Sequence, residues 1–291
     1  MADAPVIYQE TRISPTAASP SSILNINAGS SGFRAGQKRP FDEISGVDEE
    51  SYARKYLATE GSVFFRSKSK APRSFVWRVL NDRQLLEVQC VDLVLDHKHN
   101  KSDSHLTFHI SLPSKIIPGG VALADVEEKD ALEIFVVTTN NDLYTITLRR
   151  DLLTRETVPA EFDSATCVKR YSPSAFNNEY PYRFVAFSNR ELFVSLHDGS
   201  MLKLSREPNE SGLNWRETHF SEGGWSGTLR RQFPLYRQRT VRYGKVELFD
   251  DAIAAIAKSP DGKFIWTVGL DHVLKAWSTE TGKIVAQTDL V

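Results

Sequence analysis

The sequence predicts an all-β fold of the β-propeller class behind an unstructured N-terminal tail, and three observations carry that prediction. From Gly61 onward, short runs of β-branched and aromatic residues alternate with turns rich in Gly, Pro, Asn and Asp, a period of two that reads as strand. No run is followed by a helix-length amphipathic segment, so a parallel sheet of strand–helix–strand units is disfavoured. Three hairpins also resemble one another: Glu133–Val137 with Asp142–Leu148, Arg183–Phe187 with Asp198–Leu204, and Lys263–Thr267 with Asp271–Trp277. Their Asp residues lie 56 and 73 residues apart, against roughly 40–45 for an undecorated four-stranded blade. The repeats are therefore blades carrying loop insertions, about four to five of them.

Taken in order, residues 1–60 form the tail. Ser14-Pro15-Thr16-Ala17-Ala18-Ser19-Pro20 is typical of its composition, and its scattered apolar residues cannot bury enough surface to offset ordering entropy. Ser14-Pro15 and Ser19-Pro20 have the minimal form of proline-directed phosphorylation sites, Lys38-Arg39 is a short basic pair, and 42–56 reads as a short helix leading into the fold. Residues 61–291 are the blades. Strands are expected at 62–66, 75–80, 85–95, 105–112, 132–139, 142–148, 182–188, 191–196, 200–204, 263–268, 273–277 and 283–288. Asp198-Gly199 is the Asp-Gly hairpin signal, because a two-residue type I′ turn needs positive φ at both positions.

Charge and cysteine content exclude several classes. Lys+Arg 36 against Asp+Glu 37 gives a formal net charge of −1, so no whole-chain field draws the protein to nucleic acid or an anionic membrane. Cys90 and Cys167 are the only cysteines, too few for a disulfide framework or a four-thiolate zinc site. With no apolar run near 18 residues and no basic-then-apolar start, a soluble chain of a reducing compartment is expected. No metal site is expected either: His105 and His109 fall on a strand, where four residues separate them by roughly 13 Å, beyond the reach of one zinc ion. The plain reading is a solvated strand face. No phosphate loop, nucleophile elbow or paired carboxylates accompany the fold, so neither an enzyme nor a cofactor or small-molecule substrate is expected.

The most unusual charge feature is 223–246, with Arg230, Arg231, Arg237, Arg239, Arg242 and Lys245 and no acid. It is a partly helical, basic insertion between blades near 222–246. Trp225, Leu229 and Phe233 recur at i, i+4 and i+8 along one helical stripe ended by Pro234. A helix this short orders only by docking: on the propeller rim, on a partner, or shallowly in a curved membrane, with the arginines meeting lipid phosphates. Stacking on nucleic-acid bases, an acidic partner, or a solvated insertion also remain open.

The segment Ser259-Pro260-Asp261-Gly262-Lys263, with 264–268, Asp271-His272-Val273-Leu274-Lys275-Ala276-Trp277-Ser278 and Thr281-Gly282-Lys283, resembles a WD-repeat blade. By that resemblance Asp271 tightens the inner turn, Leu274 and Ala276 point into the inter-sheet core, and Trp277 fills the edge between blades. Ser278 departs from the usual Asp of the WD dipeptide. The wider serial order resembles the amino-terminal propeller of the large scaffold nucleoporin family called Nup one-twenty in fungi and Nup one-sixty in animals: Phe75-Val76-Trp77-Arg78, Leu85-Leu86-Glu87-Val88, Ile117-Pro118-Gly119-Gly120-Val121, a decorated blade, then the Trp277 blade. This implies a propeller that is incomplete in this chain, since members of the family continue with further blades, and a scaffold of the Y-shaped outer ring of the nuclear pore complex, located at the nuclear envelope and supporting mRNA and protein transport. The implied partners are other Y-complex subunits, including a small WD-repeat nucleoporin and a chromatin-linked one. A WD-repeat adaptor of another assembly, a ubiquitin-ligase receptor or a vesicle coat, is the alternative.

Overall fold

The alternating runs become sheets because one face of each strand carries the apolar residues and must be covered by the next sheet. The computed structural model describes residues 23–26, 60–66, 74–91, 106–153, 167–177, 180–206, 214–222, 240–243, 246–249 and 251–290. The first sheet holds β1 (Ile23–Asn25), β2 (Glu60–Phe65), β3 (Ser74–Leu80), β4 (Leu85–Val91) and β5 (Thr107–Ser111), in the order β1-β5-β4-β3-β2. The second is β6 (Ile116–Val126), β7 (Ala131–Thr138), β8 (Leu143–Arg149) and β9 (Val168–Tyr171). The third is β10 (Pro181–Ser188), β11 (Glu191–Leu196), β12 (Met201–Ser205) and β13 (Arg216–Phe220). A two-stranded hairpin, β14 (Thr240–Tyr243) with β15 (Val246–Phe249), precedes the fourth sheet: β16 (Ile253–Lys258), β17 (Phe264–Gly269), β18 (Val273–Ser278) and β19 (Ile284–Asp289).

Sequential strands pair antiparallel, as four-stranded meanders do, and the inner strands β2, β6, β10 and β16 neighbour one another in that order. Successive sheets therefore stack face to face like blades, with a separate apolar layer in each seam. Phe75, Leu86, Val88 and Ile110 meet Leu132, Ile134 and Tyr144 between the first and second sheets. Phe135 and Val137 meet Phe184, Val194 and Leu202 between the second and third. Phe193, Met201 and Phe220 meet Ile253, Ile265 and Trp277 between the third and fourth. The arrangement is an incomplete β-propeller.

Several strands carry no clear signal in the sequence. β6 contains Pro118-Gly119-Gly120, which reads as a turn. The ladder absorbs it as an irregularity, since Ile116 faces Thr138 while Val121 faces Val136, with Gly119 at φ +66°. β13 is polar because it is an outer strand, and Ile253-Ala-Ala-Ile-Ala lacks alternation altogether. Within the segment expected to be tail, Ile23–Asn25 form β1, which pairs parallel with β5, and Ile26 is buried in the first seam. This departs from a tail without structure through residue 60. The expected helix at 42–56 lies outside the described residues.

Candidate interaction surface

The hairpin turns place the Asp residues singled out by sequence. Leu196 N–H donates to Ser200 O and Gly199 N–H to Leu196 O, so the loop is three residues long, with Gly199 alone at positive φ, +79°. This corrects the expected two-residue turn, because a three-residue loop places only its last residue in the left-handed region. A Cβ on Gly199 would also lie 2.7 Å from the Asp251 carboxyl group. The equivalent left-handed positions are Asn141 (φ 63°) and His272 (φ 63°). Asp198 and Asp271 therefore occupy the same central place, and each accepts a backbone N–H two residues on, from Ser200 at 2.9 Å and Val273 at 3.1 Å. Asp142 falls after its loop, so its structural counterpart is Ser200, and the residue equivalent to Asp198 is Asn140. The carboxylate of Asp142 instead takes Ser172 Oγ at 2.6 Å and Arg170 at 2.9 Å.

Trp277 is fully buried in the last seam, packed near Phe220 at 6.5 Å between ring centroids. Its Nε1–H donates to Thr267 Oγ1 at 2.8 Å. Since alternate residues share a face, Lys275 and Trp277 look toward the third sheet, and Leu274 and Ala276 look away from it. On that outward face Ala276 is buried and Leu274 half-buried. The outward face of the fourth sheet carries Ala257, Trp266, Ala276 and Ala286 as one cross-strand row beside Ala255, Val268 and Leu274, without a charge. Trp266 is 39% exposed and Val285 55%. A sheet face of this composition is built to be covered.

Charged pairs rivet the seams, and sequence reading missed them. Arg66 donates to Asp125 and Asp130, both at 2.8 Å, joining the first and second sheets. Arg206 pairs with Glu133 while lying over the Trp215 ring, joining the second and third. Glu191 takes Lys203 at 2.9 Å and Lys258 of the fourth sheet. The one signal was Glu133 inside an apolar run, since a charge is buried only with a partner; the partner lies 73 residues away. Burial pushes the Glu133 carboxyl above its usual range, although Arg206 opposes the shift. For Glu191 burial acts in the same direction, but hydrogen bonds from both lysines outweigh it and hold the carboxyl low.

His109 is buried rather than solvated. Its Nε2 lies 3.2 Å from Glu87 Oε2, while Arg78 donates to Glu87 Oε1 at 2.6 Å. The three residues face one another across β3, β4 and β5. Burial alone would raise the Glu87 carboxyl, but the hydrogen bonds from His109 and Arg78 bring it below its usual value. The imidazole is thus part of a polar row, and among the described residues no three His, Cys, Asp or Glu side chains are grouped to hold a metal. Of the basic insertion, Arg242 stands on β14 opposite Glu247. Trp225, Leu229, Arg230, Arg231, Phe233, Arg237 and Arg239, and with them the expected helix, lie outside the described residues.

Stacked antiparallel meanders with a buried Trp and an Asp-bearing inner turn define a propeller-type protein, in which apolar seams organise the described residues. The family described as Nucleoporin Nup120/160, beta-propeller domain, matches residues 73–291, and this chain belongs to it. Nucleoporin NUP120 of Chaetomium thermophilum is 32% identical over 298 residues, covering 98% of this chain and 23% of that protein. Nucleoporin nup120 of Schizosaccharomyces pombe is 24% identical over 193 residues, covering 66% and 16%. The chain thus spans less than a quarter of the length of these relatives. The β-propeller domain of Cps50 (Swd1) from Myceliophteria thermophila superposes with a TM-score of 0.40 at 10% identity, over 75% of this chain and 56% of that one.

Proposed function

We propose that this chain is a non-catalytic scaffold module of the nuclear pore complex, placed in the outer ring formed by the Y-shaped complex and supporting passage of mRNA and protein between nucleus and cytoplasm. The match to the nucleoporin propeller family over 73–291 carries the reading. A stack of sheets riveted by buried ion pairs suits the task, since it offers rigid loop faces and needs no chemistry. Its partners are other Y-complex nucleoporins, among them a small WD-repeat subunit and a chromatin-linked one. The basic insertion near 222–246, with Trp225, Leu229 and Phe233 beside its arginines, is the candidate for a peripheral contact with the pore membrane.

Affinity purification of the native full-length protein tests the reading. Outer-ring nucleoporins should co-purify stoichiometrically and a fluorescent fusion should mark the nuclear rim. Recovery of ubiquitin-ligase or vesicle-coat subunits in their place would overturn it in favour of an adaptor.

A further inference from the structure

The outer edges of the sheets differ in how they are protected. β9 carries Lys169 and Arg170, β13 carries Arg216 and Glu217, and β19 ends on Asp289; such charges discourage an edge strand from pairing with another chain. β5, with the sequence Thr-Phe-His-Ile-Ser, has no Lys, Arg, Asp, Glu or Pro. Among the described residues it is also the outer strand that has a further strand on its edge. That strand is β1, in parallel register, with Ile23 facing His109, Leu24 facing Ile110 and Asn25 facing Ser111. Ile26 N–H donates to Ser111 O at 2.9 Å, and Ile26 is 8% exposed in the first seam.

We propose that the edge of β5 is a strand-docking site whose ligand is the segment 23–26, held there by its own chain and exchangeable with the same segment of a second copy. The described contact consists of three backbone pairings and the buried Ile26. Its occupancy by the chain's own segment then depends on the connection 27–59, which keeps the segment on the same chain as the edge. A parallel pair needs a connection of about a dozen residues or more, and these 33 residues exceed that comfortably. A second copy brings an identical segment, as in domain swapping. The uncharged edge explains why a cover is required; the parallel register defines which way any replacement must run.

The test uses the full chain and a fluorescent peptide of residues 20–30. The bond at Ile26 places the neighbouring bond of the ladder at Leu24, two residues earlier, so Leu24→Pro removes a donor, whereas Ile26→Asp removes the anchor. Both variants should bind the peptide at least tenfold more tightly than the wild-type chain, whose own segment competes, and a peptide carrying Ile26→Asp should not bind. In the wild-type chain, β5 amides facing β1 should exchange at least tenfold faster than those of β4. An N-terminally labelled wild-type chain should transfer energy to an Ile26→Asp chain, and excess unlabelled peptide should abolish the signal. The proposal is overturned if well-folded variants bind no peptide, if all three chains bind it equally, if no peptide-sensitive transfer occurs, or if β5 is as protected as β4. Should both variants unfold, exchange in the wild-type chain decides: protection of β5 equal to β4 rejects the exchangeable strap.

Discussion

Replacing Trp277 is the sharpest probe of the last seam. The side chain is fully buried, and an aromatic of this size removes about 150–250 Å² from water, worth about 4–6 kcal/mol at 25 cal/mol per Å² as an upper bound. Core aromatic-to-alanine changes span about 3–5 kcal/mol, so Trp277→Ala should cost about 4 kcal/mol. Trp277→Phe keeps most of the apolar area but leaves Thr267 Oγ1 without its 2.8 Å donor. Loss of one partner of a buried hydrogen bond costs about 1–3 kcal/mol, so this variant should fall near 2 kcal/mol. Urea unfolding, followed by far-UV circular dichroism, gives both values from the shift in midpoint at unchanged slope. The ratio is diagnostic. A cost below about 1 kcal/mol for Trp277→Ala would refute a seam role, and equal costs for the two variants would show that the Thr267 bond, not the packing, matters.

Other outcomes follow from the seams and the open face. Because the Glu191 carboxyl is held below its unfolded value, the stability it supplies is present above about pH 4.5 and is lost as pH falls through the folded value. Glu191→Gln should therefore lower stability by about 1 kcal/mol at pH 7, allowing for partial exposure, and flatten its decline between pH 5 and 3; an unchanged acid profile rejects this. Burial pushes the Cys90 thiol up to about 12, and Cys167 is also buried, so neither should react with a thiol reagent in the folded chain at pH 8, and both should react in urea. Rapid native labelling would contradict the burial. Trp266→Lys should reduce self-association of the chain in sedimentation velocity and change stability by less than about 0.5 kcal/mol, the usual range for surface substitutions. A stability loss of several kcal/mol would mean that the face is internal.

Period-two alternation determined most of the strands within 61–291, though not β6, β13 or β16, because a strand presents one apolar face wherever it sits. Recurrence of three hairpins determined that the meanders repeat, and the family's serial order of motifs was legible from Phe75 to Trp277. Local turn chemistry was read less well. Asp142, Asp198 and Asp271 look equivalent in sequence, yet each hairpin loop is three residues long and Asp142 falls two residues past the central place that Asp198 and Asp271 hold, an offset that only the pairing register reveals. Tertiary structure alone decided which face of β18 meets a neighbour, since Leu274 and Trp277 are equally apolar and only the sheet beneath distinguishes them. It alone buried His109, whose partners Glu87 and Arg78 come from adjacent strands, and joined Glu133 to Arg206 across 73 residues. It also raised Ile23–Asn25 from a Ser/Pro-rich segment to a strand. Three residues have no period of their own, so their structure comes from the edge of β5, which their sequence does not contain.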